Sequence, residues 1–451
     1  MMASNTVIKV CEQLNSVGFK GFLVGGSIRD ILLNVPVHDI DITTDAKPCQ
    51  IKSCFWLHKQ FNLGEKFGTI TVLFNGEKVE ITTFRTESEF TSKRNELNVS
   101  FVTSLEEDLK RRDLTVNALA LNPLTGELID LFGGKNDLDN HIIRFVGNAE
   151  ERIIEDPLRM LRAIRFASKL NSVIEPISFN AIKTHALLIR NVAFERIKEE
   201  LFKILSIEDC SLSLLLLEKT GLLMAIIPEL AKLSNVEQPK KFHKWNVLHH
   251  SFMTVLEIPA NKPLLRFAGL LHDIGKTECR TCSPFFPSHE IKGIEIFKVI
   301  SRRFKLSVEE EHFISFIISN HMIQFGFRNI ENNKSAMKRL LSNMGENIRF
   351  LEDLFIMFEA DKVGTGREDP ETTERTKRVH IALNEILANK EPLQVKDLNI
   401  NGKELLEINI PASKIMGDIL NKLLEKVLDN SIPNDKEALL KEAKTLYLSN
   451  L

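Results

Sequence analysis

No run of about 18 consecutive apolar residues occurs in this 451-residue chain, so the sequence holds no candidate membrane-spanning helix. An excess of charge of one sign is missing too. Its 59 Lys and Arg stand against 61 Asp and Glu, a formal net charge of -2. Bulk charge therefore does not announce a polyanionic partner, although a local basic groove would suffice for one. Cysteine is scarce and scattered, at Cys11, Cys49, Cys54, Cys210, Cys279 and Cys282. Cys279 and Cys282 form a CxxC with no second pair, which argues against a zinc ribbon or a disulfide framework. A reduced, cytoplasmic protein is expected. The first twenty residues interrupt their apolar positions with Lys9 and Glu12, as an amphipathic helix does and a signal peptide does not. Repeats and low-complexity tracts are also lacking. What remains is ordinary soluble composition, 43% hydrophobic and 27% charged, at a length that predicts two to four domains.

One stretch, Gly21 to Thr44, organises the rest: GFLVGGSIRDILLNVPVHDIDITT. The apolar run Phe22 to Val24 stops at Gly25-Gly26, Ser27 stands where a helix cap would, and Ile28 to Leu33 reads as a short helix. Beyond Pro36, the alternation Asp39-Ile40-Asp41-Ile42 has the period of a strand, with both carboxylates on one face. Adjacent like charges repel, and a cation between them removes the conflict. Hard oxygen ligands suit Mg²⁺, which shares its coordination sphere with phosphates. The glycine turn opening a helix offers backbone N–H groups to a triphosphate. Turn, helix and two-carboxylate strand describe a phosphoryl-transfer site.

In this order the segments LVGGSIRDILL and HDIDITT resemble the first motif of a nucleotidyltransferase branch. That branch holds the bacterial CCA-adding enzymes and poly(A) polymerases, and the likeness continues over about the first half of the chain. Thr69–Phe74 and Lys78–Phe84 flank Asn75-Gly76, the pattern of a short hairpin. Glu80 on it serves either as a further carboxylate near the pair or as a surface residue. Thr86 to Leu105 resembles the family's flexible loop, with Lys93-Arg94-Asn95-Glu96 and no proline. Full CCA, CC-only and A-only addition would part company there.

LKRRDLTVNALAL resembles the second motif, which implies that Arg111, Arg112, Asp113 and Asn117 meet the ribose and phosphates of a nucleotide. Asp130 to Gly134 resembles a structural third motif. In RIIEDPLRMLRAIRF, apolar residues recur at helical spacing, so one helix is expected, with Pro157 in its first turn. Asp156 and Arg159, three apart, would share a side of it, as a salt bridge or as something more. The resemblance implies the latter. There Asp156 and Arg159 choose the base, Asp156 accepting from the exocyclic amine common to cytosine and adenine and Arg159 donating to a neighbouring acceptor on the same edge, and Arg162 and Arg165 join the nucleotide site. Arg196, in the fifth motif, would brace this helix.

A second constellation comprises His250, His272-Asp273, His289, His321 and Asp361. Imidazoles and carboxylates from several helices make transition-metal ligands. Their order resembles the HD superfamily of metal-dependent phosphohydrolases. That likeness assigns His250, His272, Asp273 and Asp361 to a metal and leaves His289 and His321 for a second one or a phosphate. His243 and His249 read as surface or packing residues.

The resemblance thus implies an α+β protein: a nucleotidyltransferase palm of mixed sheet and helices, then all-α neck, body and HD domains. Boundaries are expected at 1–140, 141–237, 238–377 and 378–451, the last a helical region that could reach tRNA. The implied activity is template-independent addition of CCA to tRNA from CTP and ATP. Asp39 and Asp41 would hold two Mg²⁺; Gly25, Gly26 and Arg29 would hold phosphates. Neither DNA nor a membrane is expected as a partner. A CC-only or A-only enzyme, a poly(A) polymerase, an HD-type RNA-end phosphohydrolase and a non-catalytic RNA-binding protein are the alternatives. GEKFGTITV, where poly(A) polymerases carry an arginine-rich block, argues against that branch.

Overall fold

Asn75 and Gly76 both adopt positive φ, 50° and 86°, which is what a two-residue hairpin turn demands. The computed structural model describes residues 4–36, 39–87, 99–279 and 286–449. The hairpin belongs to the first of two units, Met1–Ala231 and Lys232–Leu451. Its strands join a seven-stranded sheet made of β1 (Gly21–Val24), β2 (Ile40–Thr44), β3 (Lys59–Phe61), β4 (Thr69–Phe74), β5 (Glu77–Thr83), β6 (Leu119–Leu121) and β7 (Leu128–Asp130). The strand order is β3-β4-β5-β2-β1-β6-β7. Within this sheet only β2 and β5 run parallel among the described residues, and their register sets Asp41 beside Glu80.

The helix Asn5–Ser16 buries Val7, Val10, Cys11 and Leu14 on one face of this sheet, against Leu23, Ile42, Ile70 and Ile81. Each such side chain contributes about 1.5–3 kcal/mol by leaving water. Phe22, Val24, Phe84, Leu109 and Ala120 form a smaller cluster. Burial pushes the Cys11 thiol up to about 12, so it serves as a small apolar filler. Cys282 lies outside the described residues, as does the loop piece around Arg94.

Two expectations need correcting. Ser27 does not cap the helix Gly26–Leu32; its hydroxyl donates to the Asp39 carbonyl at 2.6 Å, tying the glycine turn to the approach of β2. Nor is the Asp156 region one helix. Ala149–Glu155 ends at Asp156, whose backbone is extended (φ -146°, ψ 100°), and a new helix runs Arg159–Lys169. Proline disfavours helical geometry in the residue before it, and Pro157 breaks the helix there. Ile154, one of the apolar residues recurring at helical spacing, is 58% exposed, whereas Leu158, Leu161 and Ile164 are buried. Phe194–Leu205 packs against Arg159–Lys169.

The second unit is helical among the described residues. Val247–Glu257 packs on Leu351–Gly364 and on Pro263–Leu271. His289–Phe304 packs on Val308–Asn320 and on the short turn Ile274–Thr277. Gly275 permits that last contact. A Cβ there would sit 2.0 Å from the His289 carbonyl oxygen. No described helix of the chain is long and apolar enough to cross a membrane.

Candidate active sites

Gly25 ends β1 with φ 71° and ψ -135°, a conformation open to glycine. A Cβ on it would approach Arg112 Nη1 to 3.3 Å and Asp41 Oδ2 to 3.6 Å. The turn therefore runs directly beside the carboxylate strand. Burial, then the negative charges of Glu80 and Asp39, raise Asp41 to about 6 against the pull of Arg112. Asp41 on an open cavity, with Glu80 and Asp39 near enough to make its charge costly, supplies hard-oxygen donors of the kind that suit a divalent cation. Asp39 is exposed and sits just ahead of β2.

Gly25, Gly26, Arg29, Asp41, Arg111, Arg112, Asp113, Asn117, Asp156, Arg159, Arg162 and Arg165 all line one cavity of ≈ 510 Å³ in the first unit. Asp39 is the expected residue outside that lining. Arg29 is 3% exposed; its Nη1 donates to Asn117 Oδ1 at 2.8 Å and its Nη2 to Asp30 at 2.9 Å. Asp113 is held at about 2, because the Arg162 guanidinium at 2.6 Å and the amides of Asn117 and Leu114 outweigh its burial. It organises the arginine wall from behind.

Asp156 and Arg159 meet through the backbone, the Arg159 N–H donating to the Asp156 carbonyl at 3.0 Å. Asp156 Oδ2 accepts from Arg196 Nη2 at 2.8 Å, and its Oδ1 accepts from the Leu158 amide at 3.2 Å. Arg159 is 5% exposed and donates to Glu155 at 2.7 Å, to the Arg152 carbonyl at 3.2 Å and to the Arg111 carbonyl at 2.9 Å. Arg196, which holds Asp156, lines the same cavity.

In the second unit His250, His272, Asp273, His289 and His321 are each no more than 3% exposed. His272, His289 and His321 donate through Nδ1 to the carbonyls of Gly269, Phe286 and Ile318, at 2.7, 2.9 and 2.7 Å. A carbonyl can only accept, so each ring presents Nε2 inward. Asp273 Oδ2 faces His250 and His272 at 3.6 and 3.3 Å; its Oδ1 faces His289 and His321 at 3.2 and 3.8 Å. Asp361 Oδ1 lies 2.9 Å from His250 Nε2 and 3.4 Å from His272 Nε2. Two ligand triads thus share one carboxylate, a donor set that fits divalent transition metals. Burial opposes charge on His272, but Asp273 and Asp361 outweigh it and lift the imidazole to about 10. Burial and the neighbouring His272 push His321 down to about 3.

Several participants escaped the sequence reading. Asp108, 0% exposed, accepts from Arg111 Nε and Nη2 at 2.9 and 2.8 Å and from Arg112 Nη2 at 3.4 Å. Its i+3 and i+4 spacing to those arginines was the available signal. Glu200, buried, holds Arg165. Lys276 donates to Asp273 Oδ2 at 2.6 Å and to Gln238 Oε1 at 2.9 Å. His243, read as a surface or packing residue, lines the cavity beside the second cluster with its ring 5.0 Å from that of His250.

The first unit has the fold of a nucleotidyltransferase, and residues 21–144 match the family described as Poly A polymerase head domain. Residues 173–233 match the family described as Probable RNA and SrmB-binding site of polymerase A, and residues 327–443 the family described as tRNA nucleotidyltransferase domain 2 putative. The chain is 36% identical over 444 residues to the CCA-adding enzyme of Ligilactobacillus salivarius, spanning 97% of this chain and 96% of that protein. A shorter match, 50% identical over 194 residues, relates 43% of this chain to 48% of the Lactobacillus helveticus CCA-adding enzyme. The chain belongs to the CCA-adding enzyme family. Its fold resembles the crystal structure of the Bacillus stearothermophilus CCA-adding enzyme in complex with CTP, with TM-score 0.71 and 28% identity over 99% of this chain and 98% of that one. The Thermotoga maritima CCA-adding enzyme complexed with tRNA shares the fold at TM-score 0.61 and 21% identity, covering 98% of this chain and 94% of that one.

Proposed function

We propose that this chain adds C, C and A to the 3′ end of tRNA from CTP and ATP, without a nucleic-acid template. The convergence of the glycine turn, Asp41 and the arginine wall on one cavity carries the reading. Family membership supports it, as do the CTP and tRNA named with the related structures. The tRNA 3′-oxygen attacks the α-phosphate, its proton leaves, and the bond to pyrophosphate breaks. Asp39 and Asp41 would hold two Mg²⁺, which when bound favour the alkoxide and neutralise the triphosphate. The amides of Gly25 and Gly26, with Arg29, Arg111 and Arg112, orient the phosphates. Asp156 accepts from the amine shared by cytosine N4 and adenine N6, and Arg159 stiffens the wall behind it. Uracil and guanine present the opposite polarity on that edge, so the Asp156 carboxylate would meet an acceptor where cytosine and adenine offer a donor. A reducing cytoplasm suits the free cysteines found among the described residues.

The test supplies purified protein and Mg²⁺ with tRNA transcripts lacking the tail, or ending after one or two Cs, with products read at single-nucleotide resolution. Addition of C, C and A followed by a stop is expected. A halt at CC, A added only to the CC-ended transcript, or a long A ladder would replace this reading with a CC-only enzyme, an A-only enzyme or a poly(A) polymerase.

A second reading concerns the second unit, where Asp273 offers one oxygen to each of two histidine pairs. We propose an HD-type, metal-dependent phosphohydrolase there. Water adds to phosphorus, the ester P–O bond breaks, and the alcohol leaves with a proton. Lys276, beside the cluster and on the cavity wall, would hold the phosphoryl oxygens. His272→Ala should abolish Mn²⁺- or Ni²⁺-dependent hydrolysis of p-nitrophenyl phosphate and spare nucleotide addition. Loss of both activities in a folded variant would overturn the two-site assignment.

A further inference from the structure

Three guanidiniums gather on one ring in the first unit. Arg165 Cζ lies 4.2 Å from the centroid of Phe166, Arg29 Cζ 5.0 Å and Arg162 Cζ 5.8 Å. Arg162 and Arg165 share the helix Arg159–Lys169 with Phe166, while Arg29 comes from the helix behind the glycine turn. The ring is 6% exposed and forms part of the cavity wall with all three arginines. Each arginine also has a carboxylate anchor: Asp30 for Arg29, Asp113 for Arg162 and Glu200 for Arg165.

Three like charges so close repel, and an aliphatic side chain at this position would do nothing to offset that. An aromatic face carries negative electrostatic potential and attracts a cation lying over it. The carboxylates fix one edge of each guanidinium, and the ring fixes where its plane rests. We propose that Phe166 is a positioning residue for the nucleotide triphosphate: it holds Arg29, Arg162 and Arg165 in a preformed cationic wall, so that phosphate binding need not order them. This rests on the reading of the cavity as a nucleotide site. The wall addresses phosphate rather than base, so CTP and ATP depend on the ring alike.

The experiment replaces Phe166 by mono-, di- and trifluorophenylalanine, near-isosteric rings of falling negative potential, in the full chain. Phe166→Trp and Phe166→Leu accompany the series. KM and kcat for CTP and ATP, inhibition by inorganic pyrophosphate and by cytidine, and the unfolding temperature are measured. Expected is a graded rise, reaching about tenfold for the trifluoro ring and for Leu, in both KM values and in the pyrophosphate inhibition constant. Trp should stay near the parent, kcat should change less than KM, and cytidine inhibition should not move. A flat KM series at unchanged unfolding temperature would overturn the proposal, as would equal losses for cytidine and pyrophosphate. Failure of the parent chain to incorporate any nucleotide would instead overturn the reading of the cavity.

Discussion

Asp156 and Arg196 meet at 2.8 Å, linking the residue at a helix break to the first turn of another helix. The arginine is 38% exposed in its side chain and the aspartate 15%, so the pair faces solvent and adds little stability. Its consequence is orientation. With Oδ1 on the Leu158 amide and Oδ2 on Arg196, the carboxylate is held on the cavity wall before any base arrives.

Arg196→Ala should therefore relax base choice more than it weakens the fold. The ratio of CTP to UTP incorporation should fall about tenfold, matching the loss of roughly one oriented hydrogen bond to a charged group. The unfolding temperature should move little. Competition of CTP against UTP on tRNA lacking its tail measures the ratio, and an unchanged value would contradict the role given to the pair.

Asp41 links stability to pH. Its folded carboxyl titrates near 6, above the ordinary value of about 3.9. Between those values the folded state binds a proton that the unfolded chain has released, so stability falls as pH rises through the window and levels off above it. The ionised side chain costs at most about 3 kcal/mol at neutral pH, less as solvent screens it. Asp41→Asn should unfold at a higher temperature than the parent at pH 8 without divalent cations, and the difference should vanish near pH 4. Added Mg²⁺ should raise the parent alone, while nucleotide addition by the variant drops by at least about a hundredfold. Calorimetry at several pH values tests the first part; a variant less stable at pH 8 would refute it.

Asp108 is wholly buried between Arg111 and Arg112. Asp108→Ala leaves two guanidiniums without their shared anion and should destabilise the first unit by about 3 kcal/mol. Denaturant midpoints measure this. A change below about 1 kcal/mol would mean that solvent already screens the cluster.

Gly275 meets the His289 carbonyl too closely for any side chain. Gly275→Ala should push the helix beginning at His289 away from Asp273 and weaken Mn²⁺ binding to the second unit by tenfold or more, on the order of one lost ligand contact. Titration calorimetry with Mn²⁺ reads the affinity, and unchanged binding would show that the turn moves instead.

The order of elements in the first unit was open to inspection of the chain. A strand stopped by Gly25-Gly26, a hairpin at Asn75-Gly76 and the apolar alternation of β4 and β5 rest on φ preference and period, properties of neighbours in sequence. The candidate residue types were also legible there; of those residues Asp39, His250 and His272 lie outside the linings of the two cavities. Their partners were not open to inspection. Asp156 faces Arg196, Arg159 is spent on Glu155 and two carbonyls, Arg29 lies on Phe166, and Asp273 divides its oxygens between two histidine pairs. Those pairings join distant segments, and the packing of buried faces selects them. Local propensity decided where each element begins and which side chains it carries; only the tertiary structure decided which charges share a low-dielectric wall, because that depends on what else is buried beside them.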